Sequence, residues 1–251
     1  MRKSWTFGLL LAIFFGATVN TDAEAVRGRL LIRDDVPVSH RTELVNRLRV
    51  ITGWRDLRFD NNGMLSWNRD AVDGGSQSAR ALITSLVSAD AMIVIQDASS
   101  RSDVAFCRVV PGRLIRDELP SLRAFVVLID FADFHQVTGD RQARDAFDVG
   151  WGLLHEVNHV VNDSDDARRP DQIGDCEDEI NHMRSELDLP IRTTYFYSPM
   201  PIKNSHDFPN RLVRLAFEKR DSVANRTRRY WLIWDATTVG GLEQGQTAFL
   251  R

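Results

Sequence analysis

The stretch DVGWGLLHEVNHVVNDSDD, residues 148–166, decides how this chain is read. Its apolar residues recur three and four positions apart, the period of a helix, and the pattern predicts one from Asp140 to Asn162. Phe147, Trp151, Leu154, Asn158 and Val161 form one stripe; Asp148, Gly152, His155, His159 and Asn162 form another. The second stripe carries H-E-x-x-H as His155, Glu156 and His159. Side chains four apart lie one turn apart on one face, so both imidazoles reach a single point, half of a tetrahedral zinc site. Glu156 projects about 100° round the helix from His155, close enough to act on a water at that point without being a ligand. Gly152, one turn before His155, leaves room above the site.

Composition alone yields H-E-x-x-H in on the order of one chain in a hundred of this length, so the surroundings carry the weight. Leu153, Leu154, Val157, Val160 and Val161 flank the motif and predict a partly buried helix. Buried polar groups need partners. The trio therefore either holds an ion or bonds to neighbouring carboxylates, and both alternatives stand at this point.

LLHEVNH, residues 153–159, resembles the active-site helix of the zincin metallopeptidases. The resemblance implies an α+β, zincin-like fold with the active-site helix and a third-ligand helix packed on a mixed sheet. It implies one Zn2+ ion held by His155, His159 and a residue further along. Glu156 is then the general base of peptide-bond hydrolysis, taking a proton from water and returning it to the leaving group.

The third ligand has several candidates. In gluzincins it is a glutamate on the following helix, read here over CEDEINHMRSELDL, residues 176–189. Cys176, Ile180, Met183 and Leu187 mark its packed face; Glu177 and Glu179 flank that face and Asp178 points away. Glu177 follows His159 after seventeen intervening residues and has Asn181 one turn on, so it is the expected ligand, with Glu179 next. Metzincins extend the motif to H-E-x-x-H-x-x-G-x-x-H, with Asp last in some members. That place is Asp165 here, Asn162 stands where the glycine would be, and Ser198–Met200 could pass for a Met-turn. His182 falls on the outer side of its helix.

A developing oxyanion needs a donor. Tyr195, directly after the presumed ligand helix, is the expected one, with Tyr197, His206 and Tyr230 as others. The loop acids Asp163, Asp165 and Asp166 lack the ligand order of an EF-hand and read as solvated. His40 and His135 read as ordinary surface residues. INHMRSELDLPIRTTYFY, residues 180–197, also resembles a segment downstream of H-E-x-x-H in uncharacterised secreted bacterial proteins of metallopeptidase type. That likeness runs over roughly residues 150–240 and brings no established substrate.

Outward from this centre the pattern is mixed. GRLLIR, AMIVIQ, VAFCRVV and AFVVLID read as strands, and DLRFD with GMLSW as a hairpin about Asn61-Asn62-Gly63. SHRTELVNRLRVITG reads as a helix with Ser39 as cap and Gly53 as stop, and SQSARALITSLVSA as another. RTTYFYS, RLVRLAFEK and RRYWLIWDATTVGG read as strands, YWLIW being covered on both sides.

The start of the chain has the plan of a secretory signal peptide: Arg2 and Lys3, an apolar run from Trp5 to Val19, and Ala23-Glu24-Ala25. Residues 1–25 are read as that signal and 26–251 as a single domain, secreted or periplasmic, with no membrane span after signal removal. With 43% hydrophobic and 27% charged residues, a net charge of −3 and the signs interspersed, nothing suggests nucleic acid as a partner. The expected partner is a peptide or protein substrate. Cys107 and Cys176 could pair or stay free. The alternative function is a secreted metal-binding or interaction protein with this fold and no turnover.

Overall fold

Strands β1 (Val26–Ile32), β2 (Arg58–Phe59), β3 (Met64–Trp67), β4 (Ala91–Asp97), β5 (Cys107–Pro111) and β6 (Arg123–Ile129) form one sheet in the order β2-β3-β1-β4-β6-β5. β1, β4 and β6 run parallel; β3 and β5 lie antiparallel to their neighbours. The computed structural model describes residues 26–99, 101–112, 122–200, 211–221 and 225–239. The expected signal peptide and His206 lie outside the described residues. The hairpin at Asn61-Asn62-Gly63 forms as expected, because Asp60 Oδ1 accepts from the Asn62 and Met64 N–H groups at 2.9 and 3.0 Å.

Six helices occur among the described residues: α1 (Val38–Thr52), α2 (Gln77–Ser85), α3 (Phe131–Gln136), α4 (Arg141–Asp145), α5 (Val149–Asn162) and α6 (Asp175–Glu186). α5 lies against β4, β5 and β6 and touches α1, α2 and α6. Its Val149, Trp151, Leu153, Leu154, Val157 and Val160 share one core with Leu30, Ile32, Ile93, Ile95, Val127 and Ile129. Each such side chain is worth about 1.5–3 kcal/mol when buried, so α5 is fixed by packing, not by helix propensity. The helix bearing H-E-x-x-H is therefore a rigid platform.

A second sheet is built from β7 (Thr138–Gly139), β8 (Ile191–Arg192), β9 (Ser198–Pro199), β10 (Leu212–Asp221) and β11 (Arg226–Asp235), in the order β7-β11-β10-β8 with β9 also on β10. Val213, Leu215, Phe217, Leu232 and Trp234 supply its own core. The architecture is α+β with a mixed sheet, and no described helix is long and apolar enough to cross a membrane.

Some elements differ from expectation. The helix read as continuous from Asp140 to Asn162 is two, α4 and α5. Asp148 breaks it by taking an extended conformation and accepting from the Gly150 and Trp151 N–H groups at 2.9 and 3.2 Å. The N-cap of α1 is Pro37 rather than Ser39, with no side-chain cap bond; Gly53 ends the helix as read. RTTYFYS is irregular between β8 and β9. YWLIW is fully buried on one face only, through Leu232 and Trp234.

Candidate metal centre

His155 and His159 face one another from successive turns of α5, ring centroids 4.8 Å apart. Their Nε2 atoms converge on one oxygen, Asp166 Oδ1, at 3.0 and 3.3 Å. Ligands about 2.0–2.1 Å from a tetrahedral zinc ion stand about 3.3 Å apart, so these separations are those of a coordination edge. The other nitrogens are held as ligating imidazoles require: His159 Nδ1 donates to the Ser164 carbonyl at 2.7 Å, and His155 Nδ1 faces Glu177 Oε2 at 3.5 Å. Cys176 Sγ is the fourth donor, and the four candidate ligand atoms lie within 4.8 Å of one another. The sulfur donates to the His155 carbonyl at 3.3 Å and accepts from Asn158 Nδ2 at 3.5 Å. Two imidazoles, a carboxylate and a thiol form a set that could hold a metal ion.

Electrostatics agree with the geometry. Burial alone would lower the His155 imidazole, but Asp166, Cys176 and Glu177 outweigh it and raise it to about 10. His159, also depressed by burial, is raised to about 11 by Asp166, Cys176 and the Ser164 carbonyl. Burial pushes Asp166 up, yet the two histidines and Tyr195 hold it well below the usual carboxylate range. The Cys176 thiol, raised by burial, is drawn down to about 7 by both histidines. The surroundings thus favour two added positive charges, which two protons or one divalent ion can bring.

Asp166 was legible only as a loop acid. It becomes a candidate ligand through the way the chain leaves α5: the left-handed residue is Asp163 (φ 51°), not Asn162. Asp can take that conformation because its short side chain tolerates it. The following residues are displaced by one, so Asp165, the place expected from the metzincin pattern, turns outward to Arg168 at 2.9 Å. The loop is then pinned at Gly174, where an added Cβ would lie 2.4 Å from the Ala167 nitrogen and 2.8 Å from the Asp166 carbonyl carbon.

Glu177, expected as the third ligand, stands outside the cluster of His155, His159, Asp166 and Cys176. Its side chain is 1% exposed and bridges Arg184 and Arg192, the latter at 3.0 Å, and it faces His155 Nδ1 whereas Asp166 faces Nε2. Burial raises its carboxyl, but the two guanidinium charges bring it down to about 2. Two cations hold both oxygens, and it reaches only the Nδ1 side of His155. Glu179, on the same helix, is exposed, and His182 is a surface residue near Glu186.

Glu156 is buried beside the cluster, with Oε2 accepting from the Val109 N–H of β5 at 2.9 Å. Burial raises its carboxyl despite both histidines. Tyr195 stacks on His155 at 6.3 Å, lies under Arg192 at 4.6 Å, and hydrogen-bonds Asp166; burial and the Asp166 charge keep its phenol protonated. Glu156, Tyr195 and Cys107 border two hollows: an open one with His159, Asp166 and β5, and a deeper one of about 180 Å³.

Among the remaining candidates, Tyr197 packs on the second core and borders the deeper hollow, and Tyr230 packs on the second core. His40 is not an isolated surface residue: it stacks on Phe131 at 4.2 Å and pairs with Asp97 at 2.6 Å. His135 meets Glu43 at 2.9 Å. Cys107 and Cys176 are both free thiols. Comparison with protein-family models, curated proteins and solved structures finds no match to this chain.

Proposed function

We propose that the chain is a zinc-dependent hydrolase, most naturally a peptidase, with His155, His159 and Asp166 as metal ligands and Glu156 as general base. The observation that carries this is the convergence of two Nε2 atoms and Asp166 Oδ1 beside a buried carboxylate that needs no part in ligation. A bound zinc ion supplies Lewis acidity toward a carbonyl oxygen and toward water. Glu156, its proton affinity raised by burial, accepts a proton from the attacking water and passes it to the leaving amine. Tyr195 keeps its proton and presents a donor at the edge of the cluster. Glu177 orients the His155 ring through Nδ1.

A peptide suits the open hollow because β5, at the end of its sheet, forms one wall, and an extended chain can lie along a strand edge. The reading includes export, which rests on the basic, apolar and small residues of positions 1–25.

A second reading is favoured by Cys176. With the sulfur as fourth ligand the site would be closed, as structural zinc sites are, and the chain would bind metal without turnover. Two preparations separate these readings. Glu156→Gln retains about one zinc per chain and loses chelator-sensitive cleavage of a peptide library, and the cobalt-substituted wild type shows no thiolate-to-metal charge-transfer band. Persistent cleavage in Glu156→Gln removes Glu156 as base. A strong thiolate band with no cleavage by the wild type favours the closed site.

A further inference from the structure

The deeper hollow next to Glu156 and His155 is lined by seven aromatic residues, Phe106, Phe134, Phe147, Trp151, Tyr195, Tyr197 and Trp234, together with the ion-paired Glu177, Arg184 and Arg192. The aromatic residues are arranged for ring contacts. Phe106 meets Phe147 and Trp234 edge-on at 5.0 and 5.5 Å, and Tyr197 meets Trp234 at 5.6 Å. The volume of about 180 Å³ exceeds the roughly 150 Å³ of a cavity that holds benzene, so a ring fits by size. Two further observations bear on a guest. Trp234 is 4% exposed, and its indole N–H has no acceptor among the described residues. A buried donor left without a partner is costly, and an oxygen of the guest's backbone, rather than its ring, would supply the acceptor. Gly152 forms part of the wall, and a Cβ there would come within 2.8 Å of Phe134 Cζ; glycine at this turn of α5 keeps the hollow open on the side of the metal cluster.

We propose that this cavity binds an aromatic side chain. Resting on the hydrolase reading above, that ring belongs to the substrate residue adjoining the cleaved bond. The same cavity is lined by His155 and Glu156, so a ring seated among these aromatic residues carries its backbone to the general base. An aliphatic side chain fills space but forgoes the edge-to-face contacts that a ring makes with these walls. The selected class is therefore Phe, Tyr or Trp rather than Leu or Ile.

The test uses the zinc-loaded chain and N-acetyl-4-fluorophenylalanine amide, followed by fluorine NMR, with N-acetyl-leucine amide as competitor. The fluorinated ligand binds at least about tenfold more tightly. Leu215→Phe, which fills the cavity from β10, weakens it by about the same factor while zinc content stays near one per chain. Gly152→Ala narrows the wall from the opposite side and decides the matter if Leu215→Phe does not fold. Equal affinity for the two amides, or undiminished binding in a folded variant, overturns the assignment. A peptide-library digest separates this from the hydrolase reading. Ring binding without any cleavage sinks the hydrolase and leaves the aromatic site standing; cleavage with no aromatic preference at a fixed flanking position does the reverse.

Discussion

Asp166 and Glu177 carry the same charge and approach the same imidazole from opposite sides. Asp166 meets His155 Nε2 at 3.0 Å and is 40% exposed; Glu177 meets Nδ1 at 3.5 Å and is almost wholly buried between two guanidinium groups. Removing the first takes away a donor of the cluster. Removing the second strands Arg184 and Arg192. Asp166→Ala is therefore expected to empty the site, Asp165→Ala to leave it filled, and Glu177→Gln to keep about one ion with affinity about 10- to 100-fold weaker. Glu177→Ala further costs about 3–5 kcal/mol of folding stability, the usual penalty for uncompensating a buried pair. Metal content with a competing chromophoric chelator, and urea unfolding, check these. A filled Asp166→Ala beside an empty Glu177→Gln would return the third ligand to α6.

The register of the Asp166 loop belongs to the elements on either side of it. α5 ends in the left-handed residue Asp163, and α6 begins after Gly174 at φ 86°, whose missing Cβ lets the backbone of residues 165–167 pass within contact distance. Gly174→Ala is expected to shift that backbone, weaken metal retention and destabilise by more than about 1 kcal/mol. Gly74→Ala is the matched control, because Gly74 has φ 64° with nothing within 4 Å of an added Cβ. It should cost about 1–2 kcal/mol for the left-handed conformation and leave metal affinity unchanged. Equal metal loss in both variants would show that the loop is not held at Gly174.

The same two helices explain what the sequence could and could not disclose. His155 and His159 were legible because four residues make one turn, a relation internal to α5. Asp166 was not, because its position depends on whether Asn162 or Asp163 turns left-handed, and both residue types permit it. Glu177 and Glu179 both read as flanking the packed face of α6; Glu177 is buried and Glu179 exposed, because periodicity gives the packed face and not what its flanks meet. Arg192, on β8 beyond the end of α6, was the unseen partner. The break at Asp148 was hidden because the apolar spacing continues across it and only the cap bonds to Gly150 and Trp151 reveal it.

At the scale of the whole molecule, the centre joins the two cores. α5 is seated in the first, while Trp234 and Leu215 of the second close the aromatic cavity and the segment from β8 to β9 brings Tyr195 over His155. An ion bound here should therefore stabilise the entire fold, and its effect should depend on pH with a definite sign. In the metal-free chain His155 and His159 are raised to about 10 and 11 from an ordinary 6.5. A raised imidazole contributes stability that is complete below the unfolded value and is lost as pH climbs through the folded one. The chelated protein is thus expected to lose thermal stability progressively between about pH 6.5 and 11. Zinc replaces those protons, so the loaded protein is spared that loss, the melting-temperature gap between the two widens with pH, and loading at pH 7 releases about two protons. Calorimetry in buffers of different ionisation enthalpy measures the release, and thermal melts with and without chelator measure the gap. A gap that stays constant from pH 6.5 to 10, with no proton release, would mean that the ion binds elsewhere and that the two histidines merely neutralise Asp166.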